Sequence, residues 1–273
     1  MDFNDTEYNV YLYDGHGHSN ASDGLHKPEH IIDSAVHKGL SIIGLSDHNV
    51  VSNIPRFLDY TDKINKHKHI ILPIPAVEIS TTQGDLLVTI PDRDHAENFL
   101  TKYKKPQRRP NPSELIEEYI DQYNAIIIFP HPEVAYLKGL KLDYIEKLLH
   151  KIPQPYHKNI GIEVYNWMSQ AFFWKRAKQE KGIHNYNKAL KLSPFSFTDY
   201  HQAHHVGNGS TAVYMKDLTA KEYINAVQNR RTSPYNTSNR GISEYMQIVK
   251  AALIAEGLTH FGNRQFRVPK SHN

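Results

Sequence analysis

Apolar runs in this chain keep ending on the same two kinds of residue. "NVYLYDGH" stops at His16, with His18 two residues on, and "LSIIGLSDH" stops at Asp47 and His48. "HIILPIPAVEIS" carries Glu78, "AIIIFPHP" reaches His131, "NIGIEVYN" carries Glu163, and "PFSFTDYH" ends on Asp199 and His201. Short apolar runs alternating with longer helical patterns describe a mostly parallel β/α arrangement. In barrels and open parallel sheets, ligands gather at the carboxyl ends of the strands. A fold of this class would therefore bring the scattered imidazoles and carboxylates onto one rim.

Local spacing supports the same reading. Residues two apart on an extended chain face the same side. His16 and His18 can point at one ion from one strand, and Asp199 and His201 repeat the device. Gly17 leaves the backbone between the histidines uncrowded. Neutral imidazole together with carboxylate suits Zn²⁺, Mn²⁺ or Fe. Each piece alone has an ordinary explanation: His-x-His is commonly incidental, and Asp47 reads equally well as a helix cap. Glu78 reads as a paired buried carboxylate, His131 as a turn residue before Pro132, and Asp199 as a loop cap. It is their coincidence at successive strand ends that favours a metal cluster.

The intervening segments are helical. In "PEHIIDSAVHKG", Pro28 suits the first helical position, Ile31, Ile32, Ala35 and Val36 share a face, and Gly39 suits the C-terminal cap. A helix over about 53–68 follows. "TTQG" reads as a turn between the paired strands "HIILPIPAVEIS" and "DLLVTIP". In "NPSELIEEYIDQY", Asn111 can cap, Pro112 can sit at N1 and Glu114 falls at N3. Further helices are expected around 141–151, 170–190 and 219–230, with "TAVYM" as a short strand. Residues 232–240 read as a loop, and "ISEYMQIVKAALIAEGL" as a C-terminal helix over about 241–258.

Composition excludes several classes. The 273 residues include no cysteine, which removes disulfides and thiolate metal sites and is compatible with a reducing compartment. The start, "MDFNDTEYNV", has no long apolar run, and no stretch is long enough to span a bilayer, so a cytoplasmic chain without membrane contact is expected. A net charge of +3 is too modest for a protein that coats nucleic acid. The basic stretch "KYKKPQRRPNP", 102–112, reads first as a solvated connector. Its functional alternative is a clamp for phosphate oxygens through Lys105, Arg108 and Arg109. His204 and His205 are either loop residues or further phosphate contacts.

The motifs "YDGHGHSNASDG", "GLSIIGLSDHN", "PAVEIST", "IIIFPHP", "IGIEVYN" and "FTDYH" follow, in order, the pattern of the polymerase-and-histidinol-phosphatase (PHP) family, which the chain resembles from about residue 10 to 230. The resemblance implies a distorted (β/α)₇ barrel, here one domain over 1–273 with a C-terminal helical extension. It also implies phosphoesterase chemistry at two or three divalent ions. By that resemblance, His16 and His18 bind a first ion that Asp199 completes, and Glu78 bridges to a second held by His131. Asp23, His48 and His201 bind a third. A further family histidine shortly after the bridging glutamate is missing, and Asp85 stands nearest. Either Asp85 replaces it, or the second ion is weaker or absent. Glu163 either ligates or orients a histidine.

The expected reaction is attack on phosphorus by a hydroxide on the metals, near Glu78, with Asp199 or His201 handling the proton. The expected substrate is a phosphorylated small molecule such as histidinol phosphate, a nucleotide, or a nucleic-acid end processed exonucleolytically. Two rivals are an amidohydrolase-type metal hydrolase and a non-catalytic module stabilised by metal. No lysine ends an apolar run as the first rival would require, and the largely intact ligand set argues against the second.

Overall fold

A computed structural model describes residues 8–66, 70–170 and 176–236. The proposed C-terminal helix over 241–258 lies outside the described residues, as do His67, His69 and His260. The chain runs β1 (Asn9–Asp14), α1 (Pro28–His37), β2 (Ile42–Leu45), α2 (Ile54–Asn65), then β3 (Leu72–Ser80) and β4 (Asp85–Thr89). It continues through α3 (Arg93–Lys102), α4 (Pro112–Tyr123), β5 (Ile126–Phe129), α5 (Leu142–Lys151) and β6 (Ile160–Asn166). Last come α6 (Trp167–Gln170), α7 (Arg176–Leu190), β7 (Ser193–Phe197), β8 (Gly209–Met215), α8 (Ala220–Gln228) and β9 (Thr232–Asn236). Among the described residues, no helix is long and apolar enough to cross a membrane.

The nine strands form one mixed sheet in the order β7-β6-β5-β4-β3-β2-β1-β8-β9. β1, β2 and β3 are mutually parallel, as are β5, β6 and β7. β4 is antiparallel to both its neighbours because the "TTQG" turn folds it straight back from β3. β8 and β9 are antiparallel additions beside β1.

The sheet curls into a nearly closed barrel, and side chains make the seam. The Thr211 hydroxyl accepts from Ser196 N–H (2.9 Å) and donates to Ser196 C=O (2.9 Å). The Thr198 hydroxyl likewise accepts from Gly209 N–H (2.9 Å) and donates to Gly209 C=O (3.1 Å). Each hydroxyl thus stands in for a backbone pair where β7 and β8 are too far apart for a ladder. Beyond the ends of β1 and β7 the backbones do meet: His18 N–H donates to Tyr200 C=O at 2.7 Å, and Tyr200 N–H to His16 C=O at 3.3 Å. The two dyads, His16-Gly17-His18 and Asp199-Tyr200-His201, therefore lie side by side at the barrel mouth.

Strand alternation separates two cores. Tyr13, Ile42, Ile74, Ala76, Leu87, Ile126, Ile128, Phe195, Phe197 and Val213 fill the barrel. Ile43, Leu45, Val77, Ile79, Leu86, Val88, Ile127, Phe129, Ile160 and Ile162 face the helices. Tyr13 lies edge-on to Phe197 and Tyr223, at 4.9 and 5.3 Å between ring centres.

Two elements differ from expectation. Residues 232–236 form edge strand β9 rather than a loop; its Pro234 is tolerated because an edge strand is paired on one side only. Helix α3 has no strong apolar periodicity in "RDHAENFLTK", but Asp92 caps it by accepting from His95 N–H at 3.0 Å. At α4, Asn111 does cap, through Ser113 N–H at 3.0 Å.

Replacing Thr211 with valine removes the seam hydroxyl and strands both backbone groups of Ser196. A loss of about 1–3 kcal/mol is expected in denaturant unfolding. Thr211→Ser, which keeps the hydroxyl, should recover most of it.

Candidate metal centre

Most strands that line the barrel present their next inward position at the mouth; β1 and β5 are the exceptions. On β3, Ile74 and Ala76 face inward and Glu78 continues their phase; on β7, Phe195 and Phe197 are followed by Asp199 and His201. His48 lies in phase with Ile42, Asp85 with Leu87, and Glu163 opposite Ile160, Ile162 and Val164. His16, His18, Glu78, Asp85, His131, Glu163, Asp199 and His201 are all buried. Taking so many polar groups out of water is costly unless they are paired or hold a cation.

Four donor atoms converge at the centre, and His48 Nδ1 also reaches Glu78 Oε2 at 3.0 Å. Glu78 Oε2 lies 3.3 Å from His16 Nε2 and 3.4 Å from His18 Nε2. Asp199 Oδ1 lies 3.6 Å and 3.3 Å from the same two nitrogens. Ligands bound at ~2.1 Å around one tetrahedral ion stand ~3.4 Å apart, and these four separations are of that size. The donors nevertheless fall into overlapping groups, His16-His18-Glu78 and His18-Asp199-His201 among them, rather than one set of four. His16 Nε2, His18 Nε2 and Glu78 Oε2 are buried and have no hydrogen-bond partner. A divalent ion would satisfy all three.

A second group opens toward solvent. Asp23 Oδ2 lies 3.5 Å from His48 Nε2 and 3.4 Å from His201 Nε2. Asp23 returns to the site because the chain turns back at Gly24, where an added Cβ would meet the His18 carbonyl oxygen at 2.2 Å. A third group collects on the other side of Glu78. His131 Nε2 lies 3.2 Å from Glu78 Oε1, and donor atoms of Asp85, Glu78 and His48 come within 4.8 Å of one another. Asp85 Oδ1 is buried without a hydrogen-bond partner.

The electrostatics describe a site in need of positive charge. Burial alone would lower the His18 imidazole; Asp23, Asp199 and Glu78 outweigh it and hold it at about 9. His16 is also raised, against burial, by Asp199, Glu163 and Glu78. Burial, followed by the charge of Glu78, pushes the Asp85 carboxyl up to about 6. His48 is pushed down to about 4, chiefly by burial. The surrounding carboxylates thus favour positive charge at His16 and His18, which a metal ion would also supply.

The contacts of Glu163 are those of a candidate orienting group. Its Oε1 accepts from His16 Nδ1 at 2.7 Å, which turns His16 Nε2 into the centre. Its Oε2 accepts from His131 N–H at 2.6 Å and from Asn166 Nδ2 at 3.0 Å. Neither oxygen joins a convergent group among the described residues, so of the two roles open for Glu163 the geometry fits orientation. His201 Nδ1 faces the Asp199 carbonyl at 3.1 Å, which directs Nε2 toward Asp23.

Several positioning residues escaped the sequence reading. Asp47 is not the helix cap it could have been, since α2 starts after Asn53; it accepts from Ser19 N–H (2.8 Å), Ser19 Oγ (2.6 Å) and Ser22 Oγ (2.7 Å), and so fixes the loop that carries Asp23. Asn49, with φ of 53°, donates its N–H to Glu78 C=O at 2.9 Å and accepts from Ser80 N–H at 3.0 Å. It ties His48 to the strand bearing Glu78. The only signal of these roles is the density of short polar side chains in "SNASD" and "SDHN".

The expected phosphate contacts divide. Arg109 lines a cavity of about 470 Å³ beside the β3–β4 turn. Lys105 and Arg108 are exposed on the same connector and do not line it. His205 is buried with its ring 4.8 Å from Trp167, and His204 is exposed; neither joins the convergent groups.

Comparison with known proteins follows the same lines. The PHP domain family matches residues 14–252. Over 77 residues the chain is 38% identical to the 5'-3' exoribonuclease Rnm of Salmonella typhimurium, a stretch covering 28% of this chain. The match spans about a quarter (25%) of that relative's length. A Bacteroides vulgatus two-domain protein, described as containing a predicted PHP-like metal-dependent phosphoesterase, superposes with a TM-score of 0.59 at 21% identity, over 89% of this chain and 70% of the other. PsfC of Pseudomonas syringae superposes with a TM-score of 0.62 at 16% identity, over 92% of this chain and 99% of the other. At these identities the two structures share the fold.

Replacing Glu163 with glutamine should lower metal affinity by about 10–100-fold while the fold survives, because the His16 ring loses its anionic anchor. Calorimetric titration of the metal-free protein, beside its circular dichroism, measures both. Unchanged affinity would remove the orienting role.

Proposed function

The chain belongs to the PHP domain family, and from that membership we propose that it is a metal-dependent phosphoesterase. The observation that carries the reading is the convergence of His16 Nε2, His18 Nε2, Glu78 Oε2 and Asp199 Oδ1, with pair separations of 3.3–3.6 Å. These residues would hold a first ion. Asp23, His48 and His201 would hold another, and Glu78, His131 and Asp85 a third. Asp85 then takes the place of the absent histidine, sharing Glu78 with its neighbours.

Divalent ions bound there would neutralise phosphate oxygens and activate water at neutral pH. The protein's own part is to hold the donors, exclude bulk water and manage the proton. His48 and Asp23, whose side chains are 30% and 21% exposed against 1% for Glu78, mark the side on which a phosphate enters. Where the Asp23 group holds an ion, His201 Nε2 is engaged, and Asp199 Oδ1 already belongs to the first ion's donors. Without an ion at the Asp23 group, His201 is free to carry the proton. The short match to an exoribonuclease supports a nucleotide or nucleic-acid end over a small phosphomonoester as the substrate.

The test is reconstitution. Chelated protein reloaded with Mn²⁺ or Zn²⁺ should hydrolyse p-nitrophenyl phosphate or its diester, and should leave amides and lactones intact. The His16→Ala/His18→Ala variant should lose this turnover at least about a hundredfold, the scale of a lost electrostatic or metal contribution. Normal turnover in that variant overturns the assignment. Asp85→Ala should bind fewer ions per chain by elemental analysis. An unchanged count would leave Asp85 a turn residue.

A further inference from the structure

Beside the metal centre lies the cavity of about 470 Å³ lined by Thr81, Thr82, Gln83, Gly84, Arg109 and the segment around Lys138 and Lys141, with Lys147 at its edge. None of the candidate metal donors lines it, but it is joined to them through the backbone. The β3–β4 turn that forms one wall joins the strands carrying Glu78 and Asp85. The other wall is pinned to the same hairpin, since Asp85 N–H donates to Lys138 C=O at 2.9 Å. Lys138 is close enough to the Asp85 carboxyl to lower its proton affinity, against burial and Glu78.

The lining is cationic. Arg109, Lys138, Lys141 and Lys147 stand against one carboxylate, Asp143, and that carboxylate is already paired with Lys147 at 3.6 Å. The cations come from three separate parts of the chain: the connector before α4, the loop after β5, and helix α5. Arg109 is not placed at random, because Thr82 N–H donates to Pro110 C=O at 3.0 Å and fastens the connector over the turn. Cations converging from several elements on an open cavity suit a polyanion better than one isolated phosphate.

We infer that this cavity is a second anion subsite, which takes a phosphodiester of a nucleic-acid strand whose terminal phosphate lies at the metal centre. The inference rests on the phosphoesterase reading for the identity of the neighbouring site. The subsite supplies binding and register, and no bond is made or broken in it. It also gives the basic connector a purpose that its modest charge alone did not establish.

The experiment is equilibrium binding by metal-free protein of a 5'-phosphorylated oligoribonucleotide, with a nucleoside monophosphate as comparison. The wild-type chain should prefer the oligonucleotide. Arg109→Glu/Lys141→Glu, both exposed positions, should weaken oligonucleotide binding by at least about tenfold and flatten its dependence on salt. Lys158→Glu/Lys191→Glu inverts two cations of a smaller cavity at the opposite end of the barrel. This control carries the same change in net charge and should leave binding within about twofold if the effect is local rather than a general field. No wild-type preference, no effect of the first variant, or an equal effect of the control each overturns the subsite. Because binding is read without metal or turnover, a protein that hydrolyses no ester fails the proposed function and leaves this result standing by itself.

Discussion

Carboxylates facing one another at the mouth of the barrel set the terms for the rest of the structure. Glu78 and Asp199 approach the same two histidine nitrogens, while Glu78 also raises Asp85. Such a cluster is unfavourable in a low-dielectric site unless positive charge is supplied. Divalent ions bound there would supply it, and the repulsion that opposes folding would become the source of affinity. Stability and metal content would then be coupled.

Geometry at that mouth comes from how the barrel closes. The Thr198 and Thr211 hydroxyls hold β7 and β8 apart by one hydroxyl's width. Past the seam, β1 and β7 converge until their extensions pair, at Gly17 and Tyr200. An added Cβ on Gly17 would lie 2.4 Å from the Tyr200 ring, so glycine is required for that approach. The pairing sets His16 and His18 opposite Asp199 and His201. One register thus assembles donors from the first and last parallel strands of the barrel.

Much of this was legible in the sequence because period-two alternation carries the inward phase past the strand end. Glu78, Asp199, His201 and Glu163 could be placed from the apolar residues before them. Three of the candidate donors break that phase. His131 follows Phe129, which faces the helices, and alternation would turn Pro130, not His131, inward. His16 and His18 follow Tyr13 out of step in the same way. The sequence showed their chemistry but not the backbone that corrects their direction. Asp47, Asn49 and Asn166 were missed for a different reason. Their partners lie on other strands, and a short polar side chain has no periodicity to betray it. β9 was hidden because turn-forming residues are acceptable on an edge.

The backbone at the barrel mouth has a cost that the site itself offsets. His131 and Asp199 both sit at positive φ, 31° and 59°, where a residue with a Cβ is strained. Such conformations cost on the order of 1–3 kcal/mol each and persist only when their surroundings fix them. Here one carboxylate does much of that fixing. Glu163 accepts the His131 N–H, holds the His16 ring, and receives Asn166, whose Nδ2 also reaches Asp199 Oδ2 at 3.4 Å. Charge-assisted hydrogen bonds of this kind contribute about 1.5–3 kcal/mol each, enough to offset the strain. Glu163 therefore does more than tune one imidazole. It couples the ends of β1, β5, β6 and β7, so the directions of three donors depend on one side chain that need not touch an ion at all.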